Sequence, residues 1–141
     1  MKIRVLALGD VVGKPGRTAI REHLADLVRR EEIHFSVVNG ENASGTGNGI
    51  GIREARQLHA AGVDCITLGD HVWRQADLVP FLEQGEGIVR PANLPPEAVG
   101  PGHLVFRDPG GFEVVVINLL GQVFMGPADC PFYAVDQILS S

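Results

Sequence analysis

KIRVLALGD at residues 2–10, followed by PGRTAIREHLADLVRR at 15–30, sets the reading of everything downstream. Lys2 to Leu8 is a short apolar run that halts at Gly9-Asp10, and Ile20, Leu24, Leu27 and Val28 then recur among charges at helical spacing, which predicts strand, loop and helix in that order. The pattern returns as His34–Val38, a glycine-rich loop and a helix over Ile52–Ala61. It returns again as Asp64–Leu68, Gly69-Asp70-His71 and a helix over Arg74–Glu83. Three strand-to-helix units predict an α/β fold built on a parallel sheet of doubly wound type. Ile88–Val99 then reads as a Pro-rich connection. His103–Arg107 and Phe112–Leu120, joined by Asp108-Pro109-Gly110-Gly111, read as an antiparallel hairpin, and Phe132–Leu139 as a last helix.

Composition bounds the function classes. The 141 residues are 45% hydrophobic and 21% charged, enough apolar material for one globular domain and too little charge for disorder. A net charge of -5 argues against an extended nucleic-acid surface while leaving room for a local anion site. No apolar run approaches the roughly 18 residues of a membrane span, and Asp10 interrupts any signal-peptide core, so the expected location is cytoplasmic. Cys65 and Cys130 lack metal-pair spacing and are expected as reduced thiols.

The three predicted strands end at Gly9-Asp10, Asn39-Gly40-Glu41-Asn42 and Gly69-Asp70-His71, with Glu41 31 positions after Asp10 and Asp70 29 positions after Glu41. That is one strand-helix unit each time, so the three ends lie along one edge of a parallel sheet, where such folds place ligands. Carboxylates converging there repel and raise one another's pKa unless a cation neutralises them. Oxygen donors with an imidazole and no usable thiolate fit Mn, Fe, Mg or Zn. The glycines at 9, 40 and 69 would give the backbone unusual freedom and let a substrate approach closely. The opposing reading is that Gly and Asp simply make turns after strands.

Nucleotide fingerprints fail: Gly45, Gly47, Gly49 and Gly51 do not match the dinucleotide pattern. In Gly9–Lys14 the Gly-Lys pair comes one residue early and Pro15 replaces the required Ser or Thr. His23, His34, His59 and His103 read as surface or packing residues. Trp73 reads as a site wall or as core packing, and Arg90 and Asn93 as phosphate contacts or as loop structure.

GDVVGKPGR at 9–17, NGENA at 39–43, ITLGDHVW at 66–73, VRPAN at 89–93 and VINLLGQVF at 116–124 together resemble the YmdB-like family of bacterial calcineurin-type metallophosphoesterases. The resemblance implies a four-layered αββα fold, two divalent metal ions, and hydrolysis of phosphodiesters, typically 2',3'-cyclic nucleotides. It implies that Asp10 binds one metal, Glu41 shares both, Asn42 helps complete the shell, Asp70 is a further ligand, and His71 donates a proton to the leaving oxygen. Asp70 stands where the family usually has Asn and adds a negative charge. The family also continues through a second half with further histidine ligands, so residues 1–141 correspond to one domain's N-terminal half. The alternative function is a binding or assembly module that keeps the scaffold without completing the metal site. A half-sandwich would expose an apolar sheet face and an edge, which predicts homo-oligomers.

Overall fold

In a computed structural model, which describes residues 2–108 and 110–141, the order is β1 (Val5–Leu8), α1 (Gly13–Glu31), β2 (Phe35–Asn39), α2 (Ile52–Ala60), β3 (Cys65–Thr67), α3 (Val79–Gln84), β4 (Ile88–Val89), β5 (His103–Arg107), β6 (Glu113–Ile117) and α4 (Pro131–Ser140). Strands β1 to β4 form a parallel sheet in the order β1-β2-β3-β4, and β5 and β6 pair antiparallel. The expected α/β architecture with parallel units followed by a hairpin is therefore present. The doubly wound type is not: strand order never reverses, so successive right-handed crossovers put α1, α2 and α3 on one face.

Alternation along the strands decides what each face meets. Val38, Ile66 and Ile88 point to the helices and are buried with Ile20 and Leu24 of α1, Ala55 and Leu58 of α2, and Phe81 and Leu82 of α3. Their neighbours Phe35, Cys65 and Val89 point the other way, against Leu104, Phe106, Val114 and Val116 of the hairpin. Phe35 and Phe106 set their rings 4.8 Å apart, so the hairpin begins a second β layer. Burial pushes the Cys65 thiol up to about 12, with the charge of Asp64 adding to it, and both cysteines are free. One carboxylate oxygen fixes the lower end of the sheet: Asp64 Oδ2 accepts from the Ser36 backbone N at 2.7 Å and from Ser36 Oγ at 2.9 Å.

Three local expectations change. The helix expected over Arg74–Glu83 starts only at Val79, after a 3-10 turn over Ala76–Leu78, because Pro80 has no N–H and its ring excludes a preceding α-helical turn. Within the Pro-rich connection, Ile88–Val89 forms a fourth parallel strand, too short to show any period. Trp73 is 46% exposed and is not core packing. In the hairpin turn Pro109 lies outside the described residues. Around it Gly110 N donates to Asp108 Oδ1 at 2.6 Å, and Gly111 takes a φ of 90° that suits glycine.

The outer side of the hairpin leaves Val105 and Val115 half-exposed, and no described residue of α4 is buried although the helix carries Phe132, Tyr133 and Leu139. Among the described residues no helix is long and apolar enough to cross a membrane.

Candidate metal centre

The carboxyl ends of β1, β2 and β3 lead directly into the loops that carry the predicted ligands. The β2 loop turns tightly because Asn39 Oδ1 accepts from the Glu41 backbone N at 3.2 Å, which lifts Glu41 and Asn42 above the sheet edge. On the β3 loop, Val72 N donates to Gly69 O at 3.2 Å and closes the turn that presents Asp70 and His71. The two loops meet. One ligand atom each from Glu41, Asp70 and His71 lies within 4.8 Å of the others.

Asn42 ties the third loop in. Its Nδ2 donates to Asp10 Oδ1 and Oδ2 at 3.0 and 3.1 Å, and a carboxylate can only accept, so the amide orientation is fixed. Asn42 Oδ1 therefore faces His71 Nδ1 as an acceptor at 2.7 Å, and the imidazole must carry its proton on Nδ1. That leaves Nε2, 3.7 Å from Asp70 Oδ2, as the nitrogen turned toward the carboxylates. Asp10 itself is exposed and reaches the cluster through Asn42. An apolar hollow of ≈ 310 Å³, with Leu8, Val11, Ile20 and Leu24 in its wall, opens beside Asp10.

Glu41 is the strained member. Its Oε2 is buried with no hydrogen-bond partner among the described residues. Burial pushes the Glu41 carboxyl above its ordinary value, the charge of Asp70 adds to this and that of Asp10 adds less, while His71 pulls the other way. An orphaned carboxylate oxygen beside a second carboxylate and an imidazole nitrogen is a donor set that fits a divalent cation.

The three glycines that look alike in sequence do different work. A Cβ on Gly69 would collide with the Glu41 carboxylate, so its missing side chain is the space that carboxylate occupies. A Cβ on Gly40 would meet Ile66 Cγ2 at 2.8 Å, a core-packing constraint, and one on Gly9 would meet nothing within 4 Å. None of the three has a positive φ, so steric room and not backbone freedom is what Gly69 and Gly40 supply.

Of the two readings of Arg90 and Asn93, phosphate contact or loop structure, the hydrogen bonds present are those of loop structure. Arg90 is buried and donates from Nε to Ala98 O at 3.1 Å and from Nη1 to Pro91 O at 2.7 Å, with burial pulling its pKa down. Asn93 is 2% exposed; its Nδ2 donates to Leu120 O and Asp129 O, each at 2.8 Å, and its Oδ1 accepts from Leu120 N at 2.8 Å. Both side chains close loops, because buried polar atoms must find partners and backbone carbonyls are the ones at hand. Asn93→Ala would strand those groups. We expect it to lower unfolding free energy by about 2 to 3 kcal/mol in urea titration without changing metal binding; an unchanged midpoint would refute the clamp.

One residue that matters was not singled out from the sequence. Asn118, at the end of β6, donates from Nδ2 to Leu68 O at 2.6 Å, tying the hairpin to the residue just before Gly69. Its signal was an amide interrupting the apolar run VINLL, a polar group that a buried strand end would have to satisfy.

Comparison with known proteins agrees with this architecture. The YmdB-like protein family model matches residues 6–141. The chain is 37% identical over 138 residues to the 2',3'-cyclic-nucleotide 2'-phosphodiesterase of Bacillus subtilis, covering 98% of this chain and 52% of that protein. It is 33% identical over 123 residues to a putative phosphatase/phosphodiesterase of Mycoplasma genitalium, covering 84% of this chain and 43% of that one. Among solved structures, a hypothetical protein from Thermus thermophilus superposes with TM-score 0.90 at 38% identity, over 99% of this chain and 53% of that one. A novel phosphatase from Mycoplasma pneumoniae superposes with TM-score 0.84 at 32% identity, over 98% and 50%. The chain spans about half the length of the curated relatives it matches. With a family match over nearly its full length and the fold shared at better than 30% identity, this chain belongs to the YmdB-like family.

Proposed function

We propose that this chain carries the metal-binding part of a divalent-metal-dependent phosphodiesterase, with 2',3'-cyclic nucleotides, the substrate class in the name of the Bacillus subtilis relative, as its substrates. The observation that supports this most is the buried, unpartnered Glu41 Oε2 beside Asp70 and His71. In this reading Glu41 and Asp70 would hold one cation, with the His71 ring beside them as the acid, and Asp10, joined to His71 through Asn42, would face a second. Divalent cations bound there supply Lewis acidity to a phosphoryl oxygen and make a nearby water a better nucleophile at neutral pH.

The chain's own residues orient and move protons. The Asp10–Asn42–His71 hydrogen bonds lock the imidazole ring and fix its Nδ1 proton, so that the imidazolium, protonated on both nitrogens, would give its Nε2 proton to the departing oxygen and remain as the neutral Nδ1–H ring. Asn42 is thus a positioning residue for His71. The apolar hollow beside Asp10 gives the uncharged part of a nucleotide a place to lie.

The test combines two readouts: the metal-to-chain ratio by elemental analysis after gel filtration, and hydrolysis of 2',3'-cyclic nucleotides with Mn added. Wild-type protein is expected to hold metal and turn over. His71→Asn should lose about 10²- to 10⁴-fold in kcat with its metal ratio unchanged. Metal binding without turnover would overturn the hydrolase reading for this chain and favour the binding module. Loss of metal in His71→Asn would make His71 a ligand in place of an acid.

A further inference from the structure

The outward face of α1 and α2 carries a feature that the metal cluster does not use. Lys14, Arg17 and Arg21 fall at spacings of three and four on one stripe of α1, and Arg53 and Gln57 lie four apart on α2. The stripes face each other across a groove of ≈ 700 Å³. Four cations line it, and no carboxylate does among the described residues, in a chain with 12 Lys and Arg against 17 Asp and Glu. Four cations on one concave surface run against that composition, and they focus positive potential there, offset in part by Glu22 and Glu54, which pair with Arg21 and Arg53.

The cations keep part of their charge available. Arg17 donates from Nε to Gln57 Oε1 at 3.1 Å and from Nη1 to Ala43 O, so neutral acceptors hold it in place, with the Glu54 carboxylate near enough to feel its charge. Lys14 is exposed and has no ion pair among the described residues. Arg21 pairs with Glu22 at 3.1 Å and Arg53 with Glu54 at 3.0 Å, but the arginine side chains are 67% and 77% exposed. The Arg21–Glu22 pair, open to water on both sides, is weak and a multiply charged anion displaces it readily, whereas Glu54 is buried and keeps Arg53 Nε and Nη2, leaving Nη1 to an added ligand. Ala60 and Ala61 keep the far end of the groove free of long side chains.

Lys14 and Arg21 are separated by about 10 Å of helix, two turns, so a single orthophosphate cannot bridge them. We infer that the α1/α2 groove binds a chain of linked phosphates, such as the tail of a nucleoside triphosphate or the backbone of a short RNA single strand. Guanidinium groups suit this ligand because they offer paired N–H donors to phosphate oxygens.

The test uses metal-free protein in a chelator, so that binding at the Glu41 cluster does not contribute and failure of the hydrolase reading leaves this one intact. The probes are tripolyphosphate, by calorimetry, and a fluorescein-labelled oligouridylate of eight nucleotides, by anisotropy. The groove variant is Lys14→Glu with Arg21→Glu. The control is Arg29→Glu with Arg30→Glu, which makes the same charge change at the far end of α1. All four positions are exposed, and thermal unfolding checks that the fold is kept. We expect the groove variant to weaken binding of the tighter probe by about tenfold or more, with the control changing it by less than about twofold and added salt weakening wild-type binding. Tighter binding of tripolyphosphate identifies the triphosphate source, and tighter binding of the oligonucleotide identifies the strand; either supports the inference. No binding of either probe at millimolar concentration, or equal loss in groove and control variants, overturns it.

Discussion

Gly69→Ala is expected to weaken divalent-cation binding by about a hundredfold or more, measured by titration of the metal-free protein with Mn. The reason is steric. The new methyl would fall where the Glu41 carboxylate lies, and that carboxylate has Asp70 and His71 on its other side, so it cannot retreat without leaving the ligand cluster. The fold should survive, with a cost of about 1 to 3 kcal/mol from overpacking at the end of β3. Two companion variants make the result specific. Gly9→Ala should be neutral in both readouts, because its Cβ meets nothing within 4 Å. Gly40→Ala should lower stability through Ile66 with little direct effect on the metal. Unchanged Mn affinity in Gly69→Ala would remove Glu41 from the proposed metal site.

Glu41→Gln is expected to separate stability from metal binding in opposite directions. In the metal-free protein the Glu41 carboxyl titrates above its ordinary value of 4.5, because burial and the charge of Asp70 disfavour its ionised form. The folded state therefore binds more protons than the unfolded state between 4.5 and the raised folded value, and stability falls as pH climbs through that window. Above it the loss is complete and constant. A neutral amide of the same shape removes this effect, so at pH 7 without metal the variant should melt about 2 to 4 °C above wild type, and its stability should no longer fall across that pH window. With metal present the order reverses, since wild type gains stability from the bound cation and the variant, lacking the anionic ligand, does not. A variant that melts below wild type without metal would show that the carboxylate is not strained as the structure indicates. The same reasoning explains the cost of Asp70: it adds to the repulsion on Glu41 while adding an oxygen donor for the cation.

Much of the candidate site was legible because a parallel sheet turns sequence spacing into position. Once Leu8, Val38 and Leu68 are read as closing apolar runs that alternate with helices, Asp10, Glu41, Asn42, Asp70 and His71 must lie along one edge. What spacing could not convey is who touches whom. That Asn42 stands between Asp10 and His71, and that Asp10 is outside the tight Glu41, Asp70 and His71 group, depends on how two turns fold against each other. Arg90 and Asn93 show the converse. Residue type suits both for phosphate, yet their partners, Ala98 and Pro91 for one and Leu120 and Asp129 for the other, are backbone carbonyls, which are invisible to any pattern of side chains.

The alternation of strand and helix, the hairpin, the edge at which the acidic residues gather, and the family can all be read along the chain, because they follow from hydrophobic period, turn residues and motif order, which are local properties. Four further features emerge only in three dimensions: the sheet is singly wound, a two-residue β4 completes it, Gly69 and not Gly9 makes room for Glu41, and four cations face one another across α1 and α2. Each of these is a relation between residues distant in sequence, set by the packing of one element on another, and no local pattern carries it.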